Sequence, residues 1–156
     1  QVAPEGAPRL RALDLDTAPV ALLPGPTVAL GRAALDRAED PAEVAGWIAL
    51  ALAREEAMPS AERLMAAAGP LAGLRFVFTG KLSEGALARA TRAALRAPEA
   101  DEIAGAFARL ETAGLAAAPF ADGLRRAGLD APEAVPAEGA EALGPRDWAA
   151  LRGLCG

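Results

Sequence analysis

The fold is decided by residues 44–58, which read VAGWIALALAREEAM. Apolar side chains recur in this stretch at helical spacing, which predicts one buried helix. Asp40 and Pro41 mark its start, because Asp is a favoured N-cap and Pro suits the first helical position. The helix ends in a charged segment with Arg54 and Glu55, and the spacing predicts that Glu55 lies on the same face as the apolar stripe.

The residues before this helix predict a small β element. Residues 9–15 alternate between charged and apolar side chains, which is typical of a strand with one solvent-exposed face. Two apolar runs, 20–23 and 27–30, lie on either side of a Pro-Gly-Pro turn at 24–26 and predict two more strands. Because proline donates no ladder hydrogen bond, neither of these strands is expected at the centre of a sheet next to the turn.

Helices are predicted for most of the remaining chain. Ser60 and Ser83 are expected as N-caps of the helices that follow them. The stretch 71–79, LAGLRFVFT, stays open: its FVF core favours a strand, whereas its position between helices favours a helix. The other helical segments are predicted at 31–38, 61–68, 84–96, 98–113, 118–127 and 145–154.

The composition fits one domain built from close-packed helices. The 156 residues are 53% hydrophobic but only 4% aromatic, so a core of small aliphatic side chains is expected. Trp47 and Trp148 lie at apolar helical positions and are predicted to anchor this core. The sequence therefore predicts an α+β, mostly helical fold, with a flexible tail at 1–8 and a single domain at 9–156.

Charge and cysteine content exclude several classes of partner. The chain has 16 basic and 21 acidic residues, a net charge of −5, and no basic run, so nucleic acid is not expected as a partner. Cys155 has no second cysteine with which to form an internal disulfide. No apolar run reaches the roughly 20 residues of a membrane-spanning helix. The start at Gln1 rather than Met predicts an exported or periplasmic form whose leader or anchor has been removed.

The order of the predicted elements resembles a family of zinc metallopeptidases. A strand, a Leu-Pro-Gly turn, a second strand, a short helix and a long apolar helix follow one another over residues 18–28, 30–35 and 41–58. In this order and spacing the chain is similar to the HtpX-like and CAAX-endopeptidase-like metallopeptidases, which are gluzincins. The likeness extends loosely to 83–88, where the family has a helix that supplies its third zinc ligand. The resemblance implies a metallopeptidase-like core.

The family's zinc ligands are replaced in this chain. Matched position by position, Arg54 falls at the first ligand, Glu55 at the general base and Met58 at the second ligand. Glu84 falls at the third ligand. A guanidinium has no lone pair to donate to zinc, and a thioether is a poor zinc ligand. Since the sequence contains no histidine, the resemblance implies a degenerate site with no catalytic residue, no metal and no cofactor.

Two interpretations of Arg54 follow from this comparison. In the first, its guanidinium occupies the position of the lost metal and pairs with Glu84, so that one cation replaces another. In the second, Arg54 and Glu56 are solvated charges at the helix end, and Glu55 is a partly exposed neighbour. Pairing at a partly exposed site contributes only about 0–1 kcal/mol, so neither interpretation predicts a large effect on stability.

Binding without catalysis is the function that the sequence predicts best: a pseudoenzyme that binds or positions a protein or peptide. Pro24, Gly25 and Thr27 correspond to the border of the family's substrate-binding edge strand, so a peptide-binding edge is expected there. Two alternatives stay open. One is a hydrolase that works through the paired carboxylates of Glu55 and Glu84. The other is a structural helical subunit of a larger assembly.

Overall fold

A small sheet on the N-terminal side precedes a mostly helical chain, which confirms the predicted α+β class. The computed structural model describes residues 9–15, 18–23, 27–69, 72, 79, 81, 83–133, 135–136 and 138–153. The strands of this part of the chain are β1 (Arg9–Leu13), β2 (Val20–Leu23) and β3 (Thr27–Gly31). Its helices are α1 (Arg32–Arg37), α2 (Pro41–Ala57), α3 (Ser60–Ala68), α4 (Glu84–Ala94), α5 (Ala100–Thr112), α6 (Ala118–Arg126) and α7 (Pro145–Gly153). The tail predicted at 1–8 lies outside the described residues.

Strand β3 lies at the centre of the sheet, whose order is β1-β3-β2. It pairs parallel with β1 and antiparallel with β2. The prediction that proline keeps this strand from the centre is wrong. Strand β3 begins at Thr27, after Pro26, so no ladder donor within the strand is missing.

Strand β1 is exposed along its whole length, and Leu10 and Leu13 are among its exposed residues. The prediction that one face of this strand is buried is therefore wrong. The physical reason is its place at the edge of the sheet, where β3 and α1 provide its main contacts.

Helix α2 is the central element of the core, as its sequence predicts. Asp40 caps it, because its Oδ1 accepts a hydrogen bond from the backbone N–H of Ala42 at 2.7 Å. The helix packs against α5 and α6 on one side and against β2 and β3 on another. Trp47 is 2% exposed and meets the ring of Phe120 edge-on, with 5.2 Å between the ring centroids. Its predicted role as a core anchor is confirmed.

Helices α2 and α6 approach closely because glycines lie at their contact. A Cβ on Gly46 would lie 2.2 Å from Cγ of Phe120, and a Cβ on Gly123 would lie 2.6 Å from Oε1 of Glu43. Either side chain would overlap its neighbour in a core packed at native density. This close contact brings the charged end of α6 next to the first turn of α2.

Helices α3 and α4 pack against each other. Ser83 caps α4 as predicted, since its Oγ accepts a hydrogen bond from the backbone N–H of Ala86 at 3.3 Å. The equivalent prediction for Ser60 is wrong, because α3 already begins at Ser60 and Pro59 occupies the N-cap position.

The last helix, α7, packs at the edge of the core. Trp148 is half-buried and packs against the core cluster, in agreement with its predicted role. Within the stretch 71–79, Ala72 and Thr79 are described and helical, whereas the rest lies outside the described residues, so both alternatives for this stretch stay open. Across the described part of the chain, no helix has the length and apolar character needed to cross a membrane.

Candidate functional site

Arg54 lies inside the protein, at the C-terminal end of α2. Its side chain is 2% exposed, and its Nε lies 3.6 Å from Oε2 of Glu102 on α5, which is also buried. The predicted ion pair with Glu84 is wrong: both residues are described, they form no ion pair, and Glu84 is exposed at the start of α4. The alternative of a solvated Arg54 is wrong as well, because the packing of α5 on α2 covers this position.

Glu102 is already engaged by other donors. The guanidinium of Arg96 binds it with both terminal nitrogens, at 2.5 Å to Oε1 and 3.2 Å to Oε2. The backbone N–H of Glu99 donates to Oε2 at 2.9 Å, as in a helix capping box. Arg54 stands outside hydrogen-bond distance of the same carboxylate. Its Nε and Nη2 have no hydrogen-bond partner among the described residues.

The charges around Arg54 do not balance. The groups whose charges act on it, together with Arg54 itself, are three guanidiniums and two carboxylates: Arg54, Arg63, Arg96, Glu99 and Glu102. Burial lowers the pKa of Arg54, and the two neighbouring guanidiniums lower it further, while Glu102 opposes them. An arginine stays charged at neutral pH in spite of such a shift. The site therefore holds a buried cation whose nearest carboxylate, Glu102, is shared with a second guanidinium.

Arg63 holds the end of α2 in place, and the sequence reasoning missed it. Its Nη2 donates to the backbone carbonyls of Arg54 at 2.6 Å and of Met58 at 2.7 Å. The Arg54 carbonyl lies in the last turn of α2 and also accepts a hydrogen bond from the backbone N–H of Met58, the C-cap residue, at 3.1 Å. Met58 itself is exposed.

Glu55 does not take the buried face that its spacing predicts. The side chain is half-buried, whereas Arg54 beside it is buried. The next residue, Glu56, is exposed and forms an ion pair with Arg109 on α5. The predicted stripe is buried at Val44, Trp47 and Ala51, but at its C-terminal end the buried charged residue is Arg54 rather than Glu55.

A cavity of about 200 Å³ opens beside Arg54 and Arg96; we call it the Arg54 cavity. Arg54 and Arg96 are among its lining residues, and the other lining residues are apolar. The apolar lining residues are Ala18, Pro19, Val20, Leu50, Leu95, Ala97, Pro98, Ala127 and Leu129. The cavity thus combines a cationic end with an aliphatic wall.

A second cavity of about 270 Å³, the Glu43 cavity, lies at the other end of α2. Glu43 and Trp47 line it from α2, and Arg126 lines it from α6. Glu43 is buried and forms an ion pair with Arg126. The indole Nε1–H of Trp47 is buried and has no hydrogen-bond partner among the described residues.

The two cavities adjoin, because Ala18, Pro19 and Ala127 line both of them. We call the two cavities together the α2 groove. Each contains one buried α2 side chain, Trp47 or Arg54, that has N–H groups without an acceptor among the described residues. At about 1.5 Å of rise per residue, the backbone positions of these side chains lie roughly 10 Å apart along the helix axis.

The other residues singled out in the sequence lie away from this groove. Neither Glu55 nor Glu84 lines the Arg54 cavity or the Glu43 cavity. Thr27 pairs with Arg9 on one side and with Leu23 on the other, so it presents no free strand edge to a peptide. Pro24 and Gly25 lie outside the described residues. Within the described ranges, no three carboxylate or thiol side chains converge as a metal-binding group.

Comparisons of the chain with protein-family models, with curated proteins and with solved structures found no match. The resemblance to the gluzincin metallopeptidases at Arg54, Glu55 and Met58 therefore stays a prediction. The groove has to be interpreted from its own chemistry.

Proposed function

We propose that this chain is a non-catalytic binding domain that holds a protein or peptide segment in the α2 groove. The observation that carries the proposal is the pair of adjoining cavities that form the α2 groove, whose mostly apolar lining also includes Trp47 and Arg54. Loss of the ancestral zinc ligands at Arg54 and Met58, as the family resemblance implies, belongs to the same proposal.

The lining of the groove favours a ligand that combines apolar side chains with polar groups. Most of the lining residues are Ala, Pro, Leu or Val, and the charged ones are Arg37, Glu43, Arg54, Arg96 and Arg126. A peptide offers both kinds of group, because its backbone is polar and its side chains can be apolar.

The polar groups of the groove are suited to binding a ligand rather than to proton transfer. Arginine does not release its proton at neutral pH, and an indole N–H only donates a hydrogen bond. Glu43, the carboxylate of the groove, is held by Arg126. These properties support binding over general acid–base catalysis.

Selection from random peptides tests the proposal. Ala127 lines both cavities and is exposed, so Ala127→Trp would fill the groove from its rim. Ala104 is exposed on α5 and lines neither cavity, so Ala104→Trp adds the same ring elsewhere. We expect peptides enriched on the wild-type protein to bind Ala104→Trp with unchanged Kd and Ala127→Trp at least tenfold more weakly.

Two results would contradict the proposal. The first is that no peptide is enriched on the folded protein from a library of peptides with free C-termini. The other is equal affinity of the enriched peptides for Ala127→Trp and for the wild-type protein, which would place their site outside the groove.

A further inference from the structure

We infer that strand β1 is a docking edge for an extended segment of a partner protein in which acidic and apolar residues alternate. The segment pairs with β1 and adds one strand to the sheet, a known mode of peptide recognition. This surface is separate from the α2 groove, because no residue of β1 lines either cavity. The inference therefore goes beyond the proposed function and does not depend on it.

Strand β1 is paired along only one of its two edges. All five of its residues are in register with β3, and no described strand pairs with its other edge. The free edge of a strand presents N–H and C=O groups that can pair with another chain. Every residue of β1 is exposed, so this edge is open to a partner along its whole length.

One face of β1 continues the hydrophobic face of the sheet into solvent. Leu10 lies opposite Val28 of β3, and Ala12 lies opposite Leu30. Residues that lie opposite each other on adjacent strands share a face, and both Val28 and Leu30 belong to the hydrophobic core. Leu10 is nevertheless 50% exposed. Apolar residues of an added strand would cover Leu10 and Ala12 on this face.

The other face of β1 carries two arginines without a counter-charge. Arg9 and Arg11 share this face, because successive residues of a strand alternate between its two sides. Their guanidiniums form no ion pair and no hydrogen bond with any described residue. By contrast, Arg32 next to the sheet pairs with Asp14. Since opposite charges on adjacent strands attract, acidic residues of an added strand would pair with Arg9 and Arg11.

A second copy of this chain does not fit the edge. In a symmetric dimer joined at β1 the two strands run antiparallel, and residues opposite each other belong to the same face. Arg9 and Arg11 of one copy would then lie opposite Arg9, Arg11 or Leu13 of the other, with no carboxylate among them. Like charges directly opposite each other are destabilising. The occupant that fits is a different segment, with acidic residues on one face and apolar residues on the other.

An end-capped peptide of four Glu-Val repeats tests the inference. Its control has the same composition in the order Glu-Glu-Val-Val, repeated once, which places glutamates on both faces of a strand. We expect the control to bind at least about tenfold more weakly, as measured by the anisotropy of labelled peptides. The alternating peptide should also shift the backbone amide signals of β1 and slow their hydrogen exchange, because N–H groups at the free edge become bonded.

A charge exchange between protein and peptide tests the role of the two arginines. The double variant Arg9→Glu/Arg11→Glu should bind the Glu-Val peptide at least about tenfold more weakly, and should bind a peptide of four Lys-Val repeats in its place. Both positions are exposed, and the gain of Lys-Val binding shows that the variant is folded. Arg92→Glu is the matched control: it changes an exposed arginine on α4 and should alter the Kd less than twofold.

The inference is overturned if the alternating peptide does not bind, or binds no better than its control of equal composition. It is also overturned if the double variant keeps its affinity for the Glu-Val peptide or gains none for the Lys-Val peptide. Ala127→Trp separates this edge from the α2 groove, and should leave the Kd for the Glu-Val peptide unchanged. If Ala127→Trp weakens that peptide instead, the peptide lies in the groove, so the inference at β1 fails while the proposed function stands.

Discussion

At the scale of single residues, the buried and charged Arg54 lowers the stability of the folded protein. Burial lowers its pKa in the folded protein below the value of the unfolded chain, chiefly by desolvation. A base with a lowered pKa binds its proton less tightly in the folded state, so its cost to stability is fully present at neutral pH. The cost declines only as the pH rises through the folded pKa, in the strongly alkaline range.

Arg54 and Glu102 should therefore respond differently to substitution. Arg54→Met leaves Glu102 paired with Arg96, so we expect a free energy of unfolding unchanged within about 1 kcal/mol, or higher than wild type. Glu102→Gln leaves the buried Arg54 without its nearest counter-charge, and should cost about 3–5 kcal/mol. Urea unfolding of both variants measures the difference. A large loss of stability in Arg54→Met would show that the fold, not a ligand, requires this residue.

At the scale of secondary-structure elements, arginines from one helix hold the end of another. Arg63 on α3 donates to carbonyls in the last turn of α2. Arg89 on α4 donates to the carbonyls of Ala67 and Ala68 at the end of α3. A cation at a helix C-terminus is favourable both for the free carbonyls and for the helix dipole. These contacts fix the path of the chain from α2 through α4.

We expect Arg63→Ala to destabilise the protein by about 1.5–3 kcal/mol, because a buried charged donor to two carbonyls is lost. Arg92→Ala is the matched control, since Arg92 is exposed and donates within its own helix at 3.4 Å. It should change stability by less than about 0.5 kcal/mol. Urea unfolding gives both values, and amide hydrogen exchange should be faster in the last turn of α2 in Arg63→Ala. If the two variants are equally stable, Arg63 does not stabilise the protein by capping α2.

The local pattern was enough to predict most elements, but not which side chains meet. Helix α2, its cap at Asp40 and the strands around the Pro-Gly-Pro turn depend on neighbouring residues, so they were predictable. The partner of Arg54 depends on how α5 docks on α2, which no local pattern contains. The sequence could have identified Glu102 only as a capping-box residue of α5, and not as the carboxylate next to Arg54.

The buried face of α2 shows a second reason why the site was missed. The helix is rich in Ala, so several faces are apolar enough to be buried, and the hydrophobic pattern alone does not select one. The close contact at Gly46 selects it, because only a glycine there lets Phe120 approach. That contact turns Glu43 and Arg54 inward and leaves Glu55 half-buried.

At the scale of the whole molecule, the α2 groove is formed by elements that are distant in sequence. The segment before β2 and the end of α6 lie over α2 and line both cavities. Their docking leaves donors of Trp47 and Arg54 without acceptors. The central claim is that this groove holds a protein or peptide segment.

The indole signal of Trp47 tests this claim most directly. The chain has two tryptophans, so its ¹H–¹⁵N spectrum has two indole signals, which a Trp148→Phe variant assigns. When an enriched peptide saturates the protein, as judged by the anisotropy of a labelled copy, the peptide lies next to Trp47, which lines the groove. We predict that the Nε1–H signal of Trp47 shifts while that of Trp148 stays in place. An unmoved Trp47 signal in the saturated complex would contradict the account.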